Sequence, residues 1–142
     1  MGKESAMINA KEYLIGIKRK RRQLERLKER RSALHLEVSF GGMDLSAVKV
    51  QSTPENKLEN AIVKLSERMA YLDDKIAELS IEIDDRMNSI ESLDNATHRD
   101  ILFKRYAEYK SFEQISVEMG YVYNYTCTLH GDALKDLSKL LN

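Results

Sequence analysis

From Leu58 to Leu93 this chain carries an apolar seam whose steps alternate four and three. Leu58, Ile62, Leu65, Met69, Leu72, Ile76, Leu79, Ile83, Ile90 and Leu93 fall on it, and Arg86 is the one polar member. A strand would alternate every two residues. An average step of 3.5 keeps one narrow stripe of a helix turned toward a partner helix, the pattern of a coiled coil. Ser52-Thr53-Pro54-Glu55 opens this helix: a hydroxyl cap, a proline tolerated in the first turn, and an acid at the positive end of the dipole. Running to about Leu93, it is a rod of about 60 Å at 1.5 Å per residue.

A partner lies upstream. From Asn9, a plausible N-cap, to about Glu37, a second seam places Ala10, Tyr13, Ile17, Lys20, Leu24, Leu27, Arg31 and Leu34 on one stripe, with Lys20 and Arg31 as polar interruptions. Gly16 is a weak point, costing about 1 kcal/mol against Ala. Residues 38–53 break the periodicity; Gly41-Gly42 reads as a loop, and Val48 and Val50 allow a short extended piece. Charge separates the two helices. Residues 1–38 hold 11 Lys/Arg against 5 Asp/Glu, residues 39–96 hold 6 against 12, and residues 97–142 hold 6 of each. A basic helix followed by an equally acidic one attracts it, so the expected arrangement is an antiparallel hairpin. Self-association through the longer helix competes with it, and pairing within or between chains stays open at this level.

After Asp94-Asn95-Ala96-Thr97 the seven-residue repeat ends. A helix capped by Asn95 or Thr97 takes in Ile101, Leu102, Phe103 and Tyr106 and stops near Tyr109-Lys110. Ser111-Phe112-Glu113-Gln114 is a capping box, followed by a short helix with Phe112, Ile115 and Met119 on one face. Gly120 suits a left-handed C-terminal position. A longer helix begins around Val122–Asn124 and continues through Leu129, Leu134 and Leu137. Supporting helix, short helix, glycine turn and longer helix are the proportions of a helix-turn-helix. Its core positions fall at Ile115, Met119, Tyr121, Thr126 and Leu129, with Ser116 the small residue where the helices cross; all but Thr126 have the apolar character burial wants.

The runs Ile101-Leu102-Phe103-Lys104-Arg105-Tyr106, Ser111-Phe112-Glu113-Gln114-Ile115, Met119-Gly120-Tyr121 and Leu129-His130-Gly131-Asp132-Ala133-Leu134 resemble the C-terminus of phage late-transcription regulators of the RinA/ArpU kind, a group similar to sigma factor region four. The resemblance covers roughly residues 98–137. It implies control of phage or prophage late promoters in a bacterial cytoplasm, acting on duplex DNA and in concert with RNA polymerase. On that reading Val122, Tyr123, Asn124, Cys127 and Thr128 lie on the recognition helix. The stretch departs from the group's pattern in carrying no Arg or Lys from Val122 to Thr128. Arg or Lys to guanine is the commonest base contact, so Asn124 to adenine and Thr128 or Tyr123 to a thymine methyl take its place. Backbone contacts then fall to Lys104, Arg105, Lys110, Ser111 and Lys135, or to a basic patch at Lys18, Arg19, Arg21 and Arg22.

Other chemistries find little support. Cys127 and His130 stand three apart on one helix, but with no second cysteine and with His35 and His98 in distant segments, no zinc set or nucleophile–base pair assembles. Asp73-Asp74 and Asp84-Asp85 are adjacent on a helix and do not face each other. The lone cysteine fits a reducing compartment; no apolar run reaches the ~18 residues of a membrane span, and the first residues do not read as a signal peptide. The expectation is therefore an all-α protein: a helical hairpin over 1–95 and a helix-turn-helix module over 96–142. It is not an enzyme, has no cofactor or metal, and forms a homodimer or higher homo-oligomer. The alternative is a coiled-coil interaction adaptor whose helix-turn-helix does not read DNA alone.

Overall fold

The structure, a computed structural model, describes residues 7–39 and 54–142. Among these residues it is all-α. Helix α1 spans Ala10–Ser39 and α2 spans Pro54–Glu91. Helix α3 (Ala96–Leu102) passes into a π-helical stretch (Phe103–Ala107), and α4 (Phe112–Met119) and α5 (Tyr123–Leu141) follow. The expected loop, with Gly41-Gly42, Val48, Val50 and the Ser52-Thr53 cap, lies outside the described residues; α1 itself extends to Ser39, past the expected end at Glu37. Asn9 caps α1, its Oδ1 accepting from the Glu12 amide at 3.1 Å. Asn95 caps α3 by accepting from the amides of Thr97 and His98. No described helix is long and apolar enough to cross a membrane.

The described residues form two compact units. One takes in α1 as far as Arg21 and everything from Ile81 onward; the other runs from Arg22 to Ser80. In the first, Tyr13 and Ser89 share a hydrogen bond of 3.2 Å and Lys20 pairs with Glu82. In the second, Arg31 Nε donates to Asp73 at 2.9 Å. In the first unit rising numbers on α1 meet falling numbers on α2, so there the helices run antiparallel, and in both units they pair within the chain. The charge asymmetry of the sequence is spent partly in these pairs.

The seams are covered largely as their spacing predicts. All eight α1 positions are buried or half-buried, and on α2 only Ile62 is exposed. Leu14 is the addition: it is fully buried although it lies beside the seam. It lines a concavity with Arg105, Tyr106 and Tyr109, so this end of α1 is contacted from two sides and needs a wider apolar stripe than a two-helix seam. Arg21 adds a polar tie, its Nη1 donating to the Ala107 carbonyl at 2.9 Å and to Tyr109 Oη at 3.1 Å. At the far end of α5, Asn142 Oδ1 accepts from the Ile8 amide at 2.8 Å while its Nδ2 donates to the Ile8 carbonyl at 3.1 Å.

Gly16 and Arg86, the weak point of one helix and the polar interruption of the other, are one device. A Cβ on Gly16 would stand 2.5 Å from Arg86 Nη1. The half-buried guanidinium uses that gap to donate to the Tyr13 carbonyl and to lie 4.6 Å from the Tyr13 ring centroid. We predict that Gly16→Ala destabilises the protein by about 1 kcal/mol. The helix-propensity gain of about 1 kcal/mol is outweighed by loss of a charge-assisted hydrogen bond of about 1.5–3 kcal/mol. In an Arg86→Met background the same change becomes stabilising. Denaturant midpoints over the four-member cycle check this, and an additive cycle refutes the coupling.

Candidate nucleic-acid interface

The C-terminal helices assemble around one small core. Ile101, Leu102, Ile115, Thr126, Ala133 and Leu137 are wholly inaccessible, and α5 packs on both α3 and α4. The capping box is complete: Ser111 Oγ accepts from the Gln114 amide at 3.2 Å, and Gln114 Oε1 accepts from the Ser111 amide at 3.0 Å. Gly120 terminates α4 at φ 73, the left-handed conformation expected of it, and the Tyr121 amide bonds back to the Ser116 carbonyl at 3.0 Å. Thus Ser111 shapes α4 with the side chain that was expected on a DNA phosphate.

Of the expected core positions, Thr126 is buried and Tyr121 is not. Thr126, the least apolar of those positions, is buried completely: its Oγ1 donates to the Val122 carbonyl at 3.0 Å, leaving its methyl group to pack. Tyr121 is 37% exposed and sits at the rim, its ring edge-on to Tyr125 at 5.0 Å. Phe103, at the start of the π-helical stretch, is exposed, while Tyr106 and Ala107 further along it are buried. The stretch is marked by the Glu108 amide bonding to the Phe103 carbonyl, five residues back, at 3.1 Å. It leads into Tyr109 at φ 59, a left-handed conformation on a bulky side chain. Arg21 and Lys18 hold that ring, at 5.8 and 5.2 Å from its centroid.

The expected recognition residues lie together at the start of α5. Val122 is its N-cap residue and is 72% exposed, with no side-chain hydrogen bond closing the first turn. Tyr123, Asn124 and Thr128 are exposed and Cys127 is half-buried. Asn124 and Thr128 share a face one turn apart, Thr128 Oγ1 donating to the Asn124 carbonyl at 3.1 Å. A hydrogen bond with Cys127 raises the Tyr123 hydroxyl above its ordinary range. Val117, 81% exposed on α4, and Tyr121 and Tyr125 extend this surface, and the sequence reading did not single them out as surface residues. Their periodicity suits a core as well as a surface; only the angle at which α4 meets α5 separates the two.

The expected backbone cations are placed differently. Lys104 and Lys110 both donate to Glu118 Oε1, at 2.9 and 2.7 Å, and Lys110 also lies 3.4 Å from Glu108. Hydrogen bonds from Lys110 and Lys104 hold the Glu118 carboxyl below its usual range, and the Glu118 bond raises Lys110. Arg105 donates to the Lys110 carbonyl at 3.0 Å and covers the Phe112 ring at 4.3 Å, a packing position. Lys135 is exposed and lines a shallow concavity with Met7 and Ile8. Of the upstream patch, Lys18, Arg19 and Arg22 are exposed, whereas Arg21 turns inward to Ala107 and Tyr109. Glu118 is the acid that spacing did not reveal: Lys104 and Lys110 reach it from either side of the π-helical stretch and the left-handed Tyr109.

His130 does not join Cys127 in a reactive pair. Its Nε2 shares a hydrogen bond of 2.7 Å with Tyr106 Oη, and its ring lies edge-on to Phe112 at 4.8 Å. Burial, with Arg105 and Lys11 nearby, pushes His130 down to about 4, and burial pushes the Tyr106 phenol up. No group of three His, Cys, Asp or Glu side chains among the described residues is placed to hold a metal ion. No protein-family profile, curated protein or solved structure matches the chain.

The unfolded chain takes up a proton on His130 between pH 6.5 and about 4 that the folded chain refuses. The stability this group contributes is full above pH 6.5 and falls as pH drops through that window. His130→Gln, which keeps a hydrogen-bond partner for Tyr106, should flatten this part of the curve. Urea midpoints at about pH 7 and about pH 4.5 measure it. An unchanged slope would assign the proton to another group.

Proposed function

We propose that this protein is a sequence-specific duplex-DNA-binding regulator of transcription, controlling late genes of a phage or prophage in concert with RNA polymerase. One observation carries the reading. A capped α4, a turn through left-handed Gly120 and a longer α5 share a core, and the N-cap and first two turns of α5 present Val122, Tyr123, Asn124 and Thr128 outward. A recognition helix needs that polarity: its far face buried, its N-terminal face free for a groove. Asn124 suits the paired donor and acceptor of adenine, and Val122 suits a thymine methyl. A two-fold dimer would set half-site centres about 34–36 Å apart or at a multiple of that distance.

The second reading, an adaptor that binds protein through this face or the hairpin, is favoured by two specific features. The face is apolar and aromatic, and Lys104 and Lys110 are both engaged by Glu118. Selection of random duplex DNA by the full-length protein, with Asn124→Ala in parallel, separates the two. The regulator enriches a motif containing adenine, and the variant loses preference at that base by about 1–3 kcal/mol. No enrichment by the folded protein would reject autonomous reading and favour the adaptor. A second expectation concerns charge. Glu118→Gln frees Lys104 and leaves Lys110 only its longer contact with Glu108, so it should tighten binding to any duplex and steepen its salt dependence by about 1–2 phosphate contacts' worth. A titration of arbitrary duplex against salt measures that change.

A further inference from the structure

A basic face in the unit between Arg22 and Ser80 belongs to neither the helix-turn-helix nor the seam. On α1, Arg22, Arg26 and Arg30 follow one another at four-residue steps, all exposed on one side of the helix. On α2, Lys64 and Arg68 stand one turn apart and are also exposed. Arg30, Lys64 and Arg68 converge on one concavity between the helices, floored by Leu72 and flanked by Tyr71, with Glu67 its one carboxylate.

Among the described residues these five cations have no acid bound to them. Lys20 and Arg31 are spent on Glu82 and Asp73, and Lys75 on Glu78. None of the described ion pairs includes Arg22, Arg26, Arg30, Lys64 or Arg68, although Glu25 and Glu29 stand on the same helix. Like charges crowded without partners cost stability, so an external anion relieves the face.

We propose that this face binds the phosphate backbone of duplex DNA, independently of sequence. It would supply the charge that the recognition face lacks, and it deepens the reading of the chain as a DNA binder, on which it rests. Two features favour phosphate over an acidic protein. Four of the five cations are arginines, whose planar fork matches phosphate oxygens in pairs. Their four-residue step advances about 6 Å along the helix, close to every second phosphate of one strand at about 3.4 Å each.

The test compares the full-length protein with Arg22→Gln/Arg26→Gln/Arg30→Gln. Glutamine keeps helix propensity, and the sites are exposed, so circular dichroism should be unchanged. Both proteins are titrated with a duplex of arbitrary sequence over a series of salt concentrations, and poly-glutamate serves as a second anion. The slope of log affinity against log salt should fall in magnitude by about 2–3, near 0.9 per lost phosphate contact. Any base preference should survive, and a triple Arg→Lys variant should retain most of the slope. An unchanged slope in a variant that still binds DNA overturns this inference and leaves base reading by α5 standing. A loss toward poly-glutamate without a loss toward duplex gives the face to an acidic protein and also overturns it. Salt-dependent binding that fails to enrich any motif keeps the basic face and rejects sequence-specific reading. Failure of the parent protein to bind any duplex at low salt removes both.

Discussion

The rest of the structure depends on the register in which α1 meets α2, and polar groups in the seam set it. An unbroken apolar seam would tolerate sliding by a heptad, because each Leu or Ile fits several holes equally well. Arg86 does not: its guanidinium needs the absent side chain of Gly16 and the carbonyl of Tyr13. Lys20 with Glu82 and Arg31 with Asp73 mark the pairing of the two helices, one in each compact unit. Each polar interruption of the two seams therefore meets a polar group or a gap on the facing helix. Energy from burying Leu14, Ile17, Ile83 and Ile90 drives association, about 1.5–3 kcal/mol per fully buried side chain, while the polar positions choose which association.

That register determines what the C-terminal helices can rest on. Arg21 reaches the Ala107 carbonyl and Tyr109, and Asn142 closes on Ile8. Residues 96–142 are thus contiguous in sequence, yet their compact unit also includes the root of the hairpin. A domain boundary drawn at residue 95 follows the change in periodicity; the compact unit follows contacts that periodicity does not report.

The charge arrangement makes functional sense of an otherwise neutral chain. On the proposed reading, labour is divided: α5 presents hydrogen-bonding and apolar groups suited to adenine and thymine, and arginines of the hairpin supply phosphate affinity. Glu118 engages two lysines beside the start of α5, which on that reading would limit indiscriminate binding there. A reader of this kind discriminates by fit at the bases and gains little from charge near them, which favours specificity over raw affinity.

Much of this was legible in the sequence because it is local or periodic. The seam from Leu58 to Leu93, the Asn9 and Asn95 caps, the Ser111–Gln114 box and the Gly120 turn each depend on residues within a few positions of one another. Tertiary structure alone decided the remainder. That Tyr121 is exposed depends on how α4 crosses α5. That Lys104 and Lys110 serve Glu118 depends on the π-helical stretch and a left-handed tyrosine that no propensity anticipates. That Gly16 is a socket for Arg86 depends on two residues 70 positions apart meeting in one register. Periodicity states which face of a helix is apolar; it carries no information about which residue of a distant helix that face will meet.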